Sequence, residues 1–250
     1  MTWRLDCVGL EAGLGRKSIL RADFTFDFAQ RGQILPVRGK SGIGKSTLLY
    51  VLSALAAPRG GRAVWSPASG AVVEIAEGAD VSGFRRKNTG FSLQSAALIP
   101  HLTVRENLEW ILRLRRPEVG AGERRELADS IVERFIDNSD LSETPKDILA
   151  KYPNKLSGGQ KGRMALAGAM VHDPDILFAD EPTGSLDKST RQRVLERVAE
   201  WLALERKRCF VFVTHNEDDA LFLGATYQLE VSYDKVAKIA LARDQDIGKL

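Results

Sequence analysis

Gly39-Lys40-Ser41-Gly42-Ile43-Gly44-Lys45-Ser46-Thr47 is the stretch from which the rest of the chain can be read. It fits G-x-x-x-x-G-K-[ST], whose small residues let the backbone bend until successive N–H groups converge on one anion. The apolar run 33–37 before it reads as a strand and 46–57 after it as a helix. The positive end of that helix adds to the field. At this spacing Lys45 can reach the β- and γ-phosphates of a nucleotide, and the Ser46 hydroxyl can sit on Mg²⁺.

Farther along, Asp180-Glu181 closes the apolar strand 176–179. Ligands of open parallel sheets bind outside the carboxyl ends of the strands, so Asp180 should point at the same site. A carboxylate there can hold Mg²⁺, and Glu181 can reach a water in line with a γ-phosphate as general base. Leu156-Ser157-Gly158-Gly159-Gln160 opens a further helix, with Met164, Leu166 and Ala167 as its buried residues. Two glycines and a serine make either a second anion site or a capped helix start, and the pentapeptide alone leaves both open.

Residues 209–213 form a second continuous apolar run, the pattern of a strand buried on both faces. Val194, Leu195, Val198, Trp201 and Leu202 mark a crossover helix between the two runs, which implies a parallel sheet with βαβ units. The start of the chain differs. Leu20, Ala22, Phe24, Phe26 and Phe28 alternate, as in a half-buried antiparallel strand. Short strands are also expected at 63–65, 71–75, 227–232 and 236–241. Between 98 and 170 the spacing turns helical: Leu108, Ile111, Leu112 and Leu114 form one stripe, and Leu127, Ile131, Phe135 and Ile136 another.

The composition of the 250 residues, 44% apolar and 28% charged, is that of a globular protein with ample chain for a core. Thirty-six basic and 33 acidic residues leave +3, too small a surplus to imply a nucleic-acid surface, and no nucleic-acid partner is expected. The basic runs at 85–87, 113–116 and 206–208 read as solvated faces or element ends. Cys7 and Cys209 have no metal spacing and fit a reducing compartment. Residues 1–13 lack the apolar region of a signal peptide, and no apolar stretch approaches the roughly 18 residues of a membrane span. A chain that lies in the cytosol and does not cross a bilayer is expected.

Taken in order, the phosphate loop, Gln94, LSGGQ, an apolar strand ending in Asp-Glu, Ser185-Leu186-Asp187 and His215 resemble the nucleotide-binding domain of ABC transporters. The resemblance covers essentially the whole chain. It implies an α/β fold: a P-loop NTPase core with a mostly parallel sheet, an antiparallel β subdomain and an inserted helical subdomain. Residues 1–97 and 165–250 would make the core, and 98–164 the helical subdomain with the signature. By the same resemblance Gln94 contacts Mg²⁺ and the attacking water, so that Ser46, Gln94 and Asp180 are the metal residues. Glu181, Gln94 and His215 are the catalytic ones, with His215 bonding the γ-phosphate. Ser157, Gly158, Gly159, Gln160 and Asp187 would complete the nucleotide site of a second copy arranged head to tail.

The activity implied is ATP hydrolysis powering a separate membrane permease from the cytoplasmic face of the inner membrane. Residues 98–107 are similar to the family segment L-x-P-x-x-T-V-x-E-N, near the groove that receives the permease; Thr103 and Glu106 also make a capping box. Asp180-Glu-Pro-Thr-Gly-Ser-Leu-Asp187 resembles the lipoprotein-releasing, macrolide-exporting and cell-division branch. The rival reading is a soluble ABC ATPase acting on nucleic acid, ribosomes or protein partners, disfavoured by a single phosphate loop and the lack of a heptad tract. A P-loop kinase would need neither LSGGQ nor 185–187.

Three departures from the family stand out. The aromatic that stacks on adenine is missing near Leu14, which predicts loose base selectivity. Pro36 lies in the strand before the phosphate loop, a poor place for a missing N–H unless the strand is bulged or at an edge. Gly162 and Gly168 fall within the signature helix, at about 1 kcal/mol each relative to alanine.

Overall fold

The alternating residues near the start of the chain form β1 (Trp3–Ala12) and β2 (Leu20–Asp27), paired antiparallel from Arg4↔Asp27 to Ala12↔Leu20. The structure, a computed structural model, describes residues 2–13, 20–93, 98–136, 143–184 and 186–241. The strand was expected to reach Phe28, but it stops at Asp27. That carboxylate accepts from the Ala29 N–H and starts the short helix α1 (Phe28–Arg31). Phe28 is buried all the same, 4.7 Å from Phe26 and 5.8 Å from Trp65 between ring centres.

There follow β3 (Ile34–Gly39), α2 (Lys45–Leu52), β4 (Gly60–Pro67), β5 (Val73–Ile75), α3 (Ser82–Lys87) and β6 (Thr89–Ser92). Helix α2 is shorter than 46–57, because Ala54 turns left-handed (φ 60°) just past its end. The helical stretch holds α4 (Val104–Arg115), α5 (Ala121–Phe135), α6 (Pro145–Ala150) and α7 (Gly158–Met170). The chain then alternates through β7 (Ile176–Asp180), α8 (Lys188–Leu204), β8 (Cys209–Val213), α9 (Glu217–Phe222), β9 (Tyr227–Val231) and β10 (Val236–Leu241).

The strands run in the order β5-β4-β1-β2-β10-β9-β3-β8-β7-β6. From β9 to β6 neighbours are parallel, and from β5 to β2 antiparallel. The two parts are joined by β10, which is antiparallel to β9 and parallel to β2. Strands β7 and β8 are buried along their whole length and send alternate side chains to opposite faces. Leu177, Ala179, Phe210 and Phe212 join the cluster built with the helices from α4 to α8. Ile176, Phe178, Val211 and Val213 join a second cluster with α2, β1 and β4.

Pro36 is neither at a bulge nor on an edge. The carbonyls of Gln33 and Val37 accept from β8, so the backbone of Pro36 faces β9 instead. Pairing with β9 begins at Val37↔Leu229, one residue later, and the missing N–H falls where that ladder has not yet begun.

On α4 the buried stripe is Val104, Asn107, Leu108 and Leu112. Leu114, expected on it, is 53% exposed: two residues beyond Leu112 is about 200° around a helix. Thr103 accepts from the Glu106 N–H while Glu106 accepts from Thr103, so the expected capping box is formed. Helix α7 runs unbroken across 164–165. Its Gly168 faces α4, and a Cβ built there would lie 3.0 Å from Ile111 Cδ1, so the glycine sets how closely the two helices approach.

Candidate nucleotide site

The phosphate loop joins β3 to α2 at the carboxyl edge of the parallel strands, as the sequence pattern requires. Its shape depends on glycine at two points. Gly39 has φ 144°, and a Cβ there would lie 2.6 Å from the Val231 carbonyl oxygen. Gly44, with φ 113°, turns the chain into α2. Lys45 is 5% exposed and donates to the carbonyls of Gly39 and Lys40, both at 2.8 Å, which pins its ammonium across the loop. Burial lowers its pKa, against the pull of Glu181 and Asp180. The Lys40 ammonium lies 5.3 Å from the centre of the exposed Tyr233 ring in the β9–β10 turn.

Asp180 ends β7 beside this loop. Ser46 Oγ donates to its Oδ1 at 3.0 Å, and Tyr50 Oη to its Oδ2 at 3.3 Å. The carboxylate is 2% exposed; burial raises its pKa, and Glu181 adds to the rise against the two hydroxyls and Lys45. A hydroxyl and a carboxylate are hard oxygen donors, and with phosphate oxygens they form the set that Mg²⁺ takes. Ser46 and Asp180 therefore fit this ion.

Glu181 follows with φ 50°, an uncommon conformation for a residue with a side chain. Its Oε1 lies 2.7 Å from His215 Nε2, at the end of β8. Both line a cavity of about 410 Å³ with Thr183, Thr214 and Asn216. Behind them Asp219, fully buried on α9, accepts from the hydroxyls of Thr183 (2.6 Å) and Thr214 (3.2 Å). The loops that carry Glu181 and His215 are thus fastened to one carboxylate.

The signature residues lie at the start of α7. Ser157 accepts from the Gln160 N–H, Gln160 accepts from the Ser157 N–H, and the Gln160 amide also donates to Glu143. The capped helix start is therefore real, and it leaves the N–H groups of Gly158 and Gly159 at the helix's positive end. A Cβ built on Gly159 would lie 3.4 Å from Leu186 Cδ2, and the next residue, Asp187, caps α8 by accepting from Ser189 and Thr190.

Lys45, Ser46, Asp180, Glu181 and His215 come together from three strand ends. Gln94, Leu14 and Ser185 lie outside the described residues. Sequence reading missed Tyr50 and Asp219. Tyr50 was findable, four residues beyond Ser46 and on the same helical face. Asp219 was harder to find, because of its partners only Thr214 is near in sequence, while Thr183 and Arg191 are remote.

A family model described as ABC transporter matches residues 22–184. The chain belongs to the ABC transporter family. This ABC ATPase is 37% identical over 208 residues to the ABC transporter ATP-binding protein YtrE of Bacillus subtilis, covering 80% of each chain. It is 34% identical to the lipoprotein-releasing system ATP-binding protein LolD of Aquifex aeolicus, over 80% of this chain and 83% of that one. The sulfate/thiosulfate import ATP-binding protein CysA of Pseudomonas syringae is 36% identical, with 77% of this chain matched to 54% of that protein. Among solved structures, the ATP-binding cassette MJ0796, a dimer in a post-hydrolysis state bound to ADP and Pi, superposes with a TM-score of 0.78 at 27% identity. That match covers 97% of this chain and 100% of the other. The ABC ATPase fold expected from the sequence is the one found. Among the described residues no helix is long and apolar enough to cross a membrane.

Proposed function

We propose that this ABC ATPase is the energy-supplying subunit of a transport complex. It would hydrolyse ATP on the cytoplasmic face of the membrane as a head-to-tail pair of identical chains beneath a separate permease. The observation that carries the reading is the Ser46–Asp180 contact, which joins residues 134 apart in sequence under the phosphate loop.

In this reading, residues 39–47 cradle the phosphates, with Lys45 reaching the β- and γ-phosphates. Ser46 and Asp180, with Gln94, hold Mg²⁺, which would neutralise charge on the phosphate oxygens when bound. Glu181 takes the proton of the attacking water. His215, now bonded to Glu181, turns one ring nitrogen to the γ-phosphate and orients the base. Ser157, Gly158, Gly159, Gln160 and Asp187 of one copy close the site of the other. The positive start of α7 then faces a phosphate it does not itself cradle.

We assign the complex to the export or lipoprotein-release type. The wording of 180–187 supports this, as does a match over four-fifths of YtrE and LolD against about half of CysA.

The test is affinity capture of a Glu181→Gln form, with ATP, from detergent-solubilised membranes of the native host. One multi-span protein in stoichiometric amount is the expected companion. Recovery of ribosomes, nucleic acid or soluble protein alone would hand the function to the soluble class.

A further inference from the structure

A second cavity, of about 440 Å³, opens where β6 and β7 begin, at the opposite end of these strands from Asp180. Three segments wall it. The end of α3 contributes Arg86 and Lys87, the end of α4 contributes Arg115 and Arg116, and the turn from α7 to β7 contributes His172. None of these residues belongs to the nucleotide site.

The wall is short of negative charge. Its two carboxylates are already engaged, Glu118 by Arg116 at 3.2 Å and Asp173 by Arg208 at 2.6 Å. Among the described residues Arg86, Lys87 and Arg115 form no ion pair within 4 Å, although Glu118 also feels the charge of Arg86, and Arg85 stands close enough to Arg115 to repel it. Arg115 donates to the Thr89 carbonyl at 3.2 Å, and His172 Nε2 bonds the same oxygen at 3.1 Å. A carbonyl only accepts, so Nε2 carries the proton and Nδ1 is bare. His172 is 5% exposed, and its Nδ1, closed to solvent, has no partner among the described residues. Burial, with Arg115 and Arg116, pushes the imidazole down to about 4.

A fold that gathers like charges beside a buried imidazole bears a cost that an anion would reduce. The arginine fork matches the spacing of phosphate oxygens. The volume exceeds that of a phosphate ion and leaves room for the group it is esterified to. We propose that this cavity binds the phosphate of a phosphate ester, with Arg115 and His172 at its floor and Arg86 and Lys87 at its mouth. Such a ligand would tie α4 to the edge of the parallel sheet. An anion in the cavity favours the protonated ring, so binding takes up a proton at His172 and strengthens as pH falls. The charged groups that act on the imidazole are Arg115 and Arg116; Arg86 and Lys87 from α3, Glu118 and Asp173 line the same cavity.

The test uses the full chain saturated with Mg²⁺ and ADP, so that the phosphate loop is filled. Inorganic phosphate and then glycerol 3-phosphate are titrated while the His172 ring is followed by nitrogen-detected NMR, assigned with His172→Gln. The expected result is a saturable response with the ring titrating at higher pH. Arg115→Gln and the exposed Arg86→Ser should each weaken it, Arg115→Gln by about tenfold or more. An equal response to potassium chloride at matched ionic strength, no response at all, or a response unchanged in both variants overturns the site. Phosphatidylcholine vesicles with and without phosphatidic acid separate the sources of the ester. Sedimentation with the acidic vesicles that both variants abolish points to a lipid headgroup, and a response to glycerol 3-phosphate alone points to a soluble ester.

Discussion

His215 Nε2 lies 2.7 Å from Oε1 of Glu181, and the two loops that present them share the Asp219 carboxylate as an anchor. The pair should therefore act as a unit. Glu181→Gln is expected to lower kcat by roughly 10²- to 10⁴-fold while leaving ATP affinity close to wild type. His215→Ala should lower kcat as well, and the double variant should fall little below the worse single one. Single-turnover phosphate release would show this, and independent, multiplying losses would break the pairing.

Glu181 is also in the wrong backbone region for a residue with a side chain, at φ 50°. Left-handed backbone costs a non-glycine residue roughly 1 kcal/mol. Glu181→Gly should therefore outlast Glu181→Ala in urea by about that amount, although both lose hydrolysis. Equal midpoints would mean that the loop relaxes without cost.

For Asp180, burial first and Glu181 second raise the folded pKa above the ordinary 3.8. Below the ordinary value the group is protonated whether folded or unfolded and costs nothing. As pH rises through the raised value, the fold must hold a charge it disfavours. Asp180→Asn should thus gain thermal stability relative to wild type between about pH 4 and neutrality, and the gap should close in acid. The same variant should lose Mg²⁺-dependent hydrolysis. Parallel melting curves across that range would contradict the assignment.

Two glycines, one packed on α7 and one within it, separate a hard contact from a soft one. A Cβ on Gly90 would sit 2.0 Å from the Ala169 carbonyl oxygen, which is backbone and cannot yield. Gly90→Ala is expected to cost about 2 kcal/mol or more. Gly168 faces the tip of Ile111, which can turn aside, and alanine regains about 1 kcal/mol of helix propensity. Gly168→Ala should stay within about 1 kcal/mol of wild type by chemical denaturation.

Residues 9–19 contain no aromatic side chain. Stacking contributes roughly 1–3 kcal/mol per base where it exists. ATP and GTP are accordingly expected to bind within about tenfold of each other. Calorimetry with both nucleotides decides it, and a strong preference for ATP would require a base contact elsewhere.

Where the sequence was legible, the signal was local. Residues 39–47 announced a strand, a phosphate loop and a helix, because lysine and serine after paired glycines have few other uses. The runs 176–179 and 209–213 announced buried parallel strands by lacking any polar interruption. Thr103 with Glu106 announced a helix start. Failures had two sources, local geometry that hydrophobicity does not show and partners distant in sequence. Phe28 looked like the last residue of a strand because nothing in the alternation shows that Asp27 turns to cap a helix. Leu114 was counted into a stripe by hydrophobicity, although its angle on the helix excludes it. Pro36 is tolerated because β9 starts its pairing one residue later, and Gly168 lies where Ile111 crosses the helix. The capping box at Ser157 was readable, whereas the approach of Leu186 to Gly159 was not.

The placement of β3 bears on how the protein is made. The strand that carries the phosphate loop has β8 on one side and β9 on the other, and both are encoded near the far end of the chain. β10, which joins the two parts of the sheet, comes later still. On the ribosome, the antiparallel strands emerge early and can pair with one another, whereas β3 and its phosphate loop have no neighbouring strand to join. The helices between them can form from local contacts while synthesis continues. Nucleotide binding is therefore a property of the finished chain. A truncated or stalled product would expose apolar β3 without neighbours and would be a substrate for chaperones or proteases before it could ever hold ATP.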